Sequence, residues 1–220
     1  MASYENGEST RQAIVKACKS LFYYQGYHET SYGDICQAAH VNRSTIYYHF
    51  KTKEAMRYEV LWEYTRDILL IAERYCDRQE FRYILAACLM WKIVQSDPYI
   101  RNFIWQGWLD YPVLTGKLDF SHYYTTIYDG LLGSFVGKKK IPELTFASVY
   151  GYIMCCMRML CEEPEKWDPV ALFKQCISSS AFIWGIPNET MDHIWHNMER
   201  YLSVIPTEEM GLNIPSVSIK

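Results

Sequence analysis

Residues 42–56 read NRSTIYYHFKTKEAM, a run in which tyrosine, histidine and phenylalanine side chains stand directly before two lysines. A hydrophobic core does not need the lysines, and an ordinary charged surface does not need the aromatic rings. Ile46 and Phe50 are four residues apart, so both lie on one face of a helix and can point into a core. Residues 47–49 then occupy its exposed sides. The segment predicts a short helix with a buried anchor and an aromatic outer face, followed by positive charge.

The residues before this helix predict a helix-turn-helix. Ser31 can cap a helix with its hydroxyl, and Asp34, three residues later, suits the positive end of the helix dipole. Ile35, Ala38 and Ala39 would form the small inner face of that helix. Residues 40–41 make a tight turn, and Asn42 caps the helix quoted above. Two short helices joined in this way, the first with small side chains facing the second, define a helix-turn-helix.

The rest of the chain predicts helices as well. Apolar residues recur mostly at three- and four-residue spacing, and alternating β-branched runs bounded by tight turns are missing. We therefore expect an all-α fold with about nine to ten helices. The expected helices run from Ser9 or Thr10 to Gly26, then over 31–39, 42–50, 52–76, 79–96, 98–109, 118–137, 143–162, 168–184 and 189–203.

Three segments follow from this pattern. Residues 1–57 form the expected helix-turn-helix domain, residues 58–205 a larger helical domain, and residues 206–220 an irregular tail. The long helix 52–76 connects the first two segments. A three-helix unit of about fifty residues is near the lower limit for a domain that folds without a metal or a disulfide.

Composition favours a soluble protein in a reducing compartment. No apolar run approaches the roughly 20 residues needed to cross a bilayer, and the polar N-terminus MASYENGESTRQ does not resemble a signal peptide. The expected location is the cytoplasm, with no membrane partner. Most of the eight cysteines lie in apolar helical stretches, where a thiol behaves as a small buried hydrophobe. No C-x2-C pair or metal-ligand spacing occurs, so we expect neither a metal site nor a cofactor.

Positive charge is concentrated near the N-terminus. The whole chain carries a net charge of −3. From Arg11 to Arg57 there are seven Lys/Arg and three Asp/Glu, a local charge of +4. From Tyr58 to the end there are fifteen against twenty, a local charge of −5. This asymmetry indicates an anionic partner for the N-terminal part alone.

The second helix of a helix-turn-helix enters the major groove of DNA with its N-terminal part leading. Here residues 42–45 are at the leading end, and each is short or polar enough to meet phosphates or base edges. A tyrosine can hydrogen-bond a phosphate with its hydroxyl while its ring covers a sugar or a thymine methyl. Lys53, at the start of the following helix, can also face a phosphate. These side chains predict binding to double-stranded DNA.

The stretch from about Thr10 to Glu63 resembles the DNA-binding domain of the TetR family of bacterial transcriptional regulators. Two positions depart from the family pattern. His40 replaces a glycine that is common in the turn, and Ser44 replaces another frequent glycine. Histidine tolerates a left-handed backbone better than most residues, so we expect the turn to be kept. The shared pattern falls here on Leu21, Phe22, Gly26, Tyr27, Thr30, Ser31, Asp34, Ile35, Ala38, Val41, Tyr47, His49, Phe50, Lys53 and Glu54.

The resemblance implies a ligand-responsive regulator of transcription. It implies a homodimer that binds a palindromic operator, with a second helical domain for dimerisation and for a small-molecule effector. Effector binding would change the spacing of the two DNA-reading heads and release the DNA, as expected of a repressor. The expected DNA contacts are Thr30, Ser31, Asn42, Arg43, Ser44, Thr45, Tyr47, Tyr48, His49 and Lys53.

The larger domain is rich in aromatic residues and methionine. Aromatic stripes at helical spacing usually pack a core or a dimer interface. As a set, the tyrosines and tryptophans suggest a pocket for an aromatic or amphipathic small molecule. We also expect the helices at 143–162 and 168–184 to form a four-helix bundle between protomers. The expected pocket wall is Trp91, Phe103, Trp105, Trp108, Tyr124 and Tyr128, with Arg101 or Asp129 orienting the ligand.

An enzyme or a redox sensor in the aromatic and cysteine-rich region is the alternative. The sequence contains no nucleophile elbow, no phosphate-binding loop, no H-E-x-x-H and no paired carboxylates in an apolar frame, so we expect no catalytic residues. A redox sensor would use Cys155, Cys156 or Cys161, and it needs an exposed thiol with a lowered pKa. Only Arg158 lies nearby in the sequence to lower that pKa.

Overall fold

The computed structural model describes residues 2–109, 143–183 and 185–216. Over these residues all regular secondary structure is helical, which confirms the expected all-α fold class. None of the helices so described is both long enough and apolar enough to cross a bilayer. The expected helix at 118–137 lies outside the described residues. The helices are α1 Ala2–Tyr24, α2 Tyr32–Ala39, α3 Arg43–His49, α4 Lys53–Tyr75, α5 Gln79–Ser96, α6 Pro98–Leu109, α7 Glu143–Glu162, α8 Pro169–Ile183 and α9 Asn188–Val204, with a 3-10 helix at Thr207–Glu209.

The chain forms two compact units. The division falls after Asp67 within α4, whereas the sequence-based boundary is at residue 57. The second half of α6 belongs to the N-terminal unit although it lies far along the chain. As far as their residues are described, the N-terminal unit comprises Met1–Asp67, Asn102–Asp110 and Leu212–Lys220, and the C-terminal unit comprises Ile68–Arg101 and Tyr111–Gly211.

Apolar side chains four residues apart on α1 build the core of the N-terminal unit. Ile14, Cys18 and Phe22 are each 0% exposed. This spacing places them on one stripe of the helix. α1 packs against α2, and the Cys18 thiol lies 3.6 Å from the sulfur of Met56 in α4. The helix starts at Ala2 rather than near residue 9, and no proline stands between these positions to prevent it.

Gly26 ends α1. The N–H groups of Gln25 and Gly26 donate to the carbonyl of Leu21, at 2.8 Å and 3.2 Å. Gly26 has a φ of 102°, a backbone conformation that glycine adopts without the steric cost a side chain would bring. The expected glycine terminator is confirmed.

Side-chain caps fix the starts of the next three helices. Ser31 Oγ accepts from the N–H of Asp34 at 3.2 Å, and the Asp34 carboxylate accepts from the N–H of Ser31 at 2.7 Å, which is a capping box. Asn42 Oδ1 accepts from the N–H three residues on, at 2.9 Å, and Thr52 Oγ1 does the same at 3.2 Å. All three caps are those expected from the sequence.

His40 occupies the turn between α2 and α3 in the left-handed conformation, with φ 53° and ψ 41°. Its N–H faces the carbonyls of Cys36 and Gln37, and the N–H of Val41 donates to Cys36 at 3.0 Å. These bonds satisfy the last carbonyls of α2. The expectation that histidine would keep this turn without glycine is confirmed.

The second half of α6 completes the core of the N-terminal unit. Phe103 is 2% exposed, and its ring centroid lies 6.3 Å from that of Phe22 and 5.2 Å from that of Tyr64. Gln106, one turn further on, is also buried. A helix that follows α5 in sequence therefore supplies both an aromatic and a polar anchor to the helix-turn-helix unit.

The C-terminal unit is built around α5, which contacts α7, α8 and α9. The Trp91 ring lies 5.6 Å from Phe173, and the Phe173 ring lies 5.9 Å from Trp195. The side-chain amide of Gln95 donates to two carbonyls in the loop between α7 and α8, both at 2.9 Å. An aromatic cluster and a pinned loop therefore hold these four helices together.

Candidate nucleic-acid interface

α3 buries one face and exposes the other. Ile46 and Phe50 are 0% and 3% exposed, whereas Tyr47 and Tyr48 are 41% and 80% exposed. His49 is half-buried, with its ring 5.0 Å from that of Tyr48. The prediction of which side chains of this helix point inward and outward is confirmed.

Asn42 organises the leading end of α3. Its Oδ1 accepts three hydrogen bonds, from the Thr45 N–H at 2.9 Å, the Thr45 hydroxyl at 2.9 Å and the Ser44 hydroxyl at 2.6 Å. The two hydroxyl groups are therefore held at the exposed end of the helix with defined orientations. Each must turn away from Asn42 before it can donate to another acceptor.

Arg43 lies against two tyrosine rings at the start of α3. Its guanidinium is 5.2 Å from the ring of Tyr32 and 5.7 Å from that of Tyr47, and it donates to the Tyr47 hydroxyl at 3.3 Å. The two rings are 5.3 Å apart. A tyrosine phenol is protonated near neutral pH and can donate a hydrogen bond, and burial raises the pKa of Tyr32 further. Arg43 is thus an exposed cation whose direction is set by its neighbours.

Tyr32 is missing from the residues expected from the sequence. It begins α2, fifteen positions before Tyr47, and no periodic pattern relates the two. Only the packing of α2 against α3 brings their rings together. The one local signal is its place beside Ser31 in the capping segment.

Lys53 sits at the first position of α4, as expected. Its ammonium lies 4.4 Å from the ring centroid of Tyr27 and 3.5 Å from the carbonyl oxygen of His28. The side chain is half-buried. The loop between α1 and α2 therefore guides the direction of this cation.

Thr30 and Ser31 have structural partners. Thr30 is 1% exposed, and its hydroxyl donates to the carbonyl of Gly26 at 2.7 Å, so this side chain closes the loop after α1. Ser31 is exposed, and its hydroxyl also donates to the Asp34 carboxylate at 2.7 Å. Of these two residues, Ser31 alone has a side chain at the surface.

Replacing Ser31 by alanine is expected to destabilise the protein by about 1 kcal/mol, because the hydroxyl cap of α2 is lost. Hydrogen bonds from the backbone and hydroxyl of Ser31 lower the pKa of Asp34 from its ordinary value of 3.8. A carboxyl with a lowered folded-state pKa stabilises the fold above its unfolded pKa, and that contribution is lost as the pH falls through the folded pKa. The destabilisation should therefore shrink in acid, as urea unfolding at pH 7 and pH 3 would measure.

The matched control is Ser203→Ala, near the end of α9, where the hydroxyl only donates to a carbonyl within its own helix. We expect a change within about 0.5 kcal/mol. An equally small effect at Ser31 would contradict the capping role.

The expected effector-pocket residues fall in different surroundings. Trp91 and Arg101 belong to the C-terminal unit, where Arg101 donates to the carbonyls of Val94 and Gln95. Phe103 packs in the N-terminal core as described, and Trp105 is half-buried there. Tyr124, Tyr128 and Asp129 lie outside the described residues, as does the side chain of Trp108.

Of the three cysteines named for a redox sensor, Cys155 is exposed, Cys156 is buried and Cys161 is half-buried. Burial raises the pKa of Cys161 to about 12 and also raises the pKa of Cys176, so both resist becoming the reactive thiolate. The described residues contain no group of three His, Cys, Asp or Glu side chains that could hold a metal ion.

Residues 14–60 match the family model described as bacterial regulatory proteins, tetR family. Over 59 residues the chain is 42% identical to the HTH-type transcriptional regulator AcrR of Shigella flexneri, a match that covers 27% of each protein. Over 51 residues it is 37% identical to the HTH-type transcriptional regulator QacR of Staphylococcus aureus, covering 23% of this chain and 27% of that protein. The chain thus matches about a quarter of the length of these relatives.

A solved structure of full-length native tylp, a tetR regulator from Streptomyces fradiae, is also similar. The identity is 17% and the TM-score 0.46, over 90% of this chain and 93% of that one. The matched residues 14–60 contain the capped helices, the His40 turn and the exposed face of α3. Residues 14–60 are therefore a domain of the tetR family of bacterial regulatory proteins.

Proposed function

We propose that this protein regulates transcription by binding double-stranded DNA through the outer face of α3. The observation that carries the proposal is that Arg43, Tyr47 and Tyr48 are exposed together on a helix whose opposite side is locked by Ile46 and Phe50. The local charge of +4 between residues 11 and 57 supports an anionic partner. Such a helix fits the major groove with its N-terminal end leading.

The side chains of this surface divide into two roles. Arg43 and Lys53 are cations that suit phosphate oxygens, and such contacts position the protein without reading sequence. Thr45 and Tyr48 suit base edges and thymine methyl groups, which carry sequence information. We therefore assign affinity mainly to the cations and sequence preference mainly to Thr45 and Tyr48.

We propose further that the protein acts as a homodimer on a palindromic operator, since two copies of α3 related by a two-fold axis read two equal half-sites. The exposed side of α7 supports this assembly. Gly151 and Cys155 are exposed and four residues apart, and Tyr152 is 38% exposed beside them. Small side chains on one stripe allow a second helix to approach closely, as the four-helix bundle formed with α8 requires.

A small-molecule effector would act as the release signal of a repressor. The aromatic cluster of Trp91, Phe173 and Trp195 supports an aromatic or amphipathic molecule in the C-terminal unit. The indole N–H of Trp195 is buried, and it has no hydrogen-bond partner among the described residues. The two copies of α3 must have the spacing of the operator half-sites to bind DNA. An effector that binds more tightly to a state with a different spacing lowers the DNA affinity by the ratio of its affinities for the two states.

The proposal is tested by selecting bound duplexes from a random pool and from genomic fragments. The expected product is an enriched inverted repeat that the purified protein binds. Recovery of no enriched sequence, together with no binding to mixed duplex at low salt, would reject DNA binding as the function.

Lys53→Ala should then weaken binding to all duplexes by a similar factor, because a phosphate contact carries no sequence information. The slope of log affinity against log salt should flatten by about two units for a dimer, at about 0.9 per phosphate. Fluorescence anisotropy between 50 and 300 mM salt would measure the slope. Lys174→Ala, an exposed lysine on α8, is the matched control and should leave the slope unchanged. An unchanged slope for Lys53→Ala would remove Lys53 from the phosphate contacts.

A further inference from the structure

Gln106 makes four hydrogen bonds to a loop that lies nearly eighty positions earlier in the chain. Its Oε1 accepts from the N–H groups of Tyr27 at 2.7 Å and His28 at 3.2 Å. Its Nε2 donates to both carboxylate oxygens of Glu29, at 3.0 Å and 3.3 Å. Only this orientation of the amide gives every group a suitable partner. Gln106 is 8% exposed, so it binds three consecutive residues of the loop from inside the N-terminal unit.

The loop at residues 26–30 leaves little free space next to the contact with Gln106. Gly26 precedes it, and a Cβ at that position would collide with the Glu29 carboxylate. Thr30 closes the other end through its bonds to the Gly26 carbonyl. The hydrogen bond from Gln106 lowers the pKa of Glu29, so this carboxylate remains an ionised acceptor. Residues 26–30 therefore form a rigid turn with Gln106 as its anchor.

The opposite side of the same loop meets the start of α4. The ring of Tyr27 lies under the Lys53 ammonium, and the Tyr27 hydroxyl donates to Glu54 at 3.3 Å. The carbonyl of His28 faces Lys53 at 3.5 Å. Residues 27–29 therefore lie between Gln106 and Lys53, the cation to which the proposed function assigns a phosphate contact.

We propose that Gln106 is a positioning residue for DNA binding: by holding residues 27–29 it sets the direction of Lys53 and the start of α2. The inference rests on the proposed function, since it concerns the same DNA surface. It adds a residue of α6, outside the helix-turn-helix segment and buried, that controls affinity without touching DNA.

A reciprocal exchange tests the contact. In Gln106→Glu one oxygen can still accept from the two loop N–H groups, but the other faces the Glu29 carboxylate. Two carboxylates this close share a proton in acid, so the variants are compared at pH 8, where like-charge repulsion pushes the loop away from α6. Adding Glu29→Gln restores a donor opposite an acceptor, with the net charge of the wild type. Glu29→Gln alone keeps one amide hydrogen bond to Gln106, and so serves as the matched control.

The probe is the duplex most enriched by the wild-type protein, and the readouts are its affinity, the salt slope and the thermal midpoint of each variant. Gln106→Glu should bind about tenfold more weakly, a loss of about 1.4 kcal/mol shared between the two protomers of a dimer. Its salt slope should flatten toward that of Lys53→Ala. Glu29→Gln and the double variant should both bind within about threefold of wild type.

Two results would overturn the inference while leaving the proposed function intact. One is wild-type affinity and slope for Gln106→Glu. The other is a double variant that regains the thermal midpoint but not the affinity, since Gln106 would then support the fold without positioning the DNA surface. Failure of the wild-type protein itself to bind any duplex would instead reject the proposed function.

Discussion

Replacing Arg43 by glutamate is expected to weaken DNA binding about a hundredfold at low salt, a loss of about 1.4 kcal/mol in each protomer of a dimer. Arg43 is the first residue of α3 and is exposed, so it stands where the proposed groove contact begins. The substitution removes one cation and adds one anion beside the phosphates. The remaining aromatic side chains cannot replace the lost charge. Anisotropy titration of the selected duplex would measure the change.

The fold should survive this substitution, which separates it from a stability effect. An acidic residue in the first turn of a helix is favoured by the helix dipole, and α3 has none there. The thermal midpoint should therefore stay close to that of the wild type. Arg66→Glu is the matched control, because Arg66 is 65% exposed on α4 and the net charge changes equally. Binding by Arg43→Glu within threefold of this control would place the leading end of α3 away from DNA.

Local chemistry explains why the helix-turn-helix could be predicted well. The start of α2 depends on Ser31 and Asp34, and the start of α3 on Asn42, residues that act on backbone groups three positions away. The inward direction of Ile46 follows from helical periodicity alone. Such features need no knowledge of the rest of the fold, so a sequence pattern suffices for them.

Contacts between distant segments could not be predicted in the same way. Nothing near Gln106 in the sequence indicates that its amide binds the loop at residues 27–29. Phe103 shows the same limit, because aromatic spacing on α6 suggested a pocket wall in the larger domain, whereas its ring packs against Phe22 and Tyr64 in the N-terminal unit. Periodicity identifies the buried face of a helix but not the unit into which that face is buried.

Replacing Lys19 by methionine is expected to destabilise the protein by about 3 kcal/mol, because it leaves a largely buried carboxylate without its cation. Lys19 and Asp67 pair at 2.7 Å, with side chains 5% and 15% exposed. The Lys19 ammonium also lies 5.4 Å from the ring of Tyr64. The same Asp67 oxygen accepts one further hydrogen bond, from the Asn213 N–H at 3.1 Å, and a single amide cannot balance the charge. Urea unfolding followed by circular dichroism, at one fixed protein concentration, would measure the loss.

The double variant Lys19→Met/Asp67→Leu separates charge from packing. If the loss comes from the stranded carboxylate, removing that carboxylate should restore most of the stability, since apolar side chains of similar size often replace a buried ion pair without cost. Lys174→Met breaks an exposed pair with Glu199 and should change stability by less than about 1 kcal/mol. A double variant as unstable as Lys19→Met would show that the lysine stem, and not its charge, holds α1 against α4. Recovery would instead show that apolar side chains can replace this pair without loss of stability. If the recovered double variant also binds DNA, the pair supports the fold of the N-terminal unit and not its DNA-binding surface.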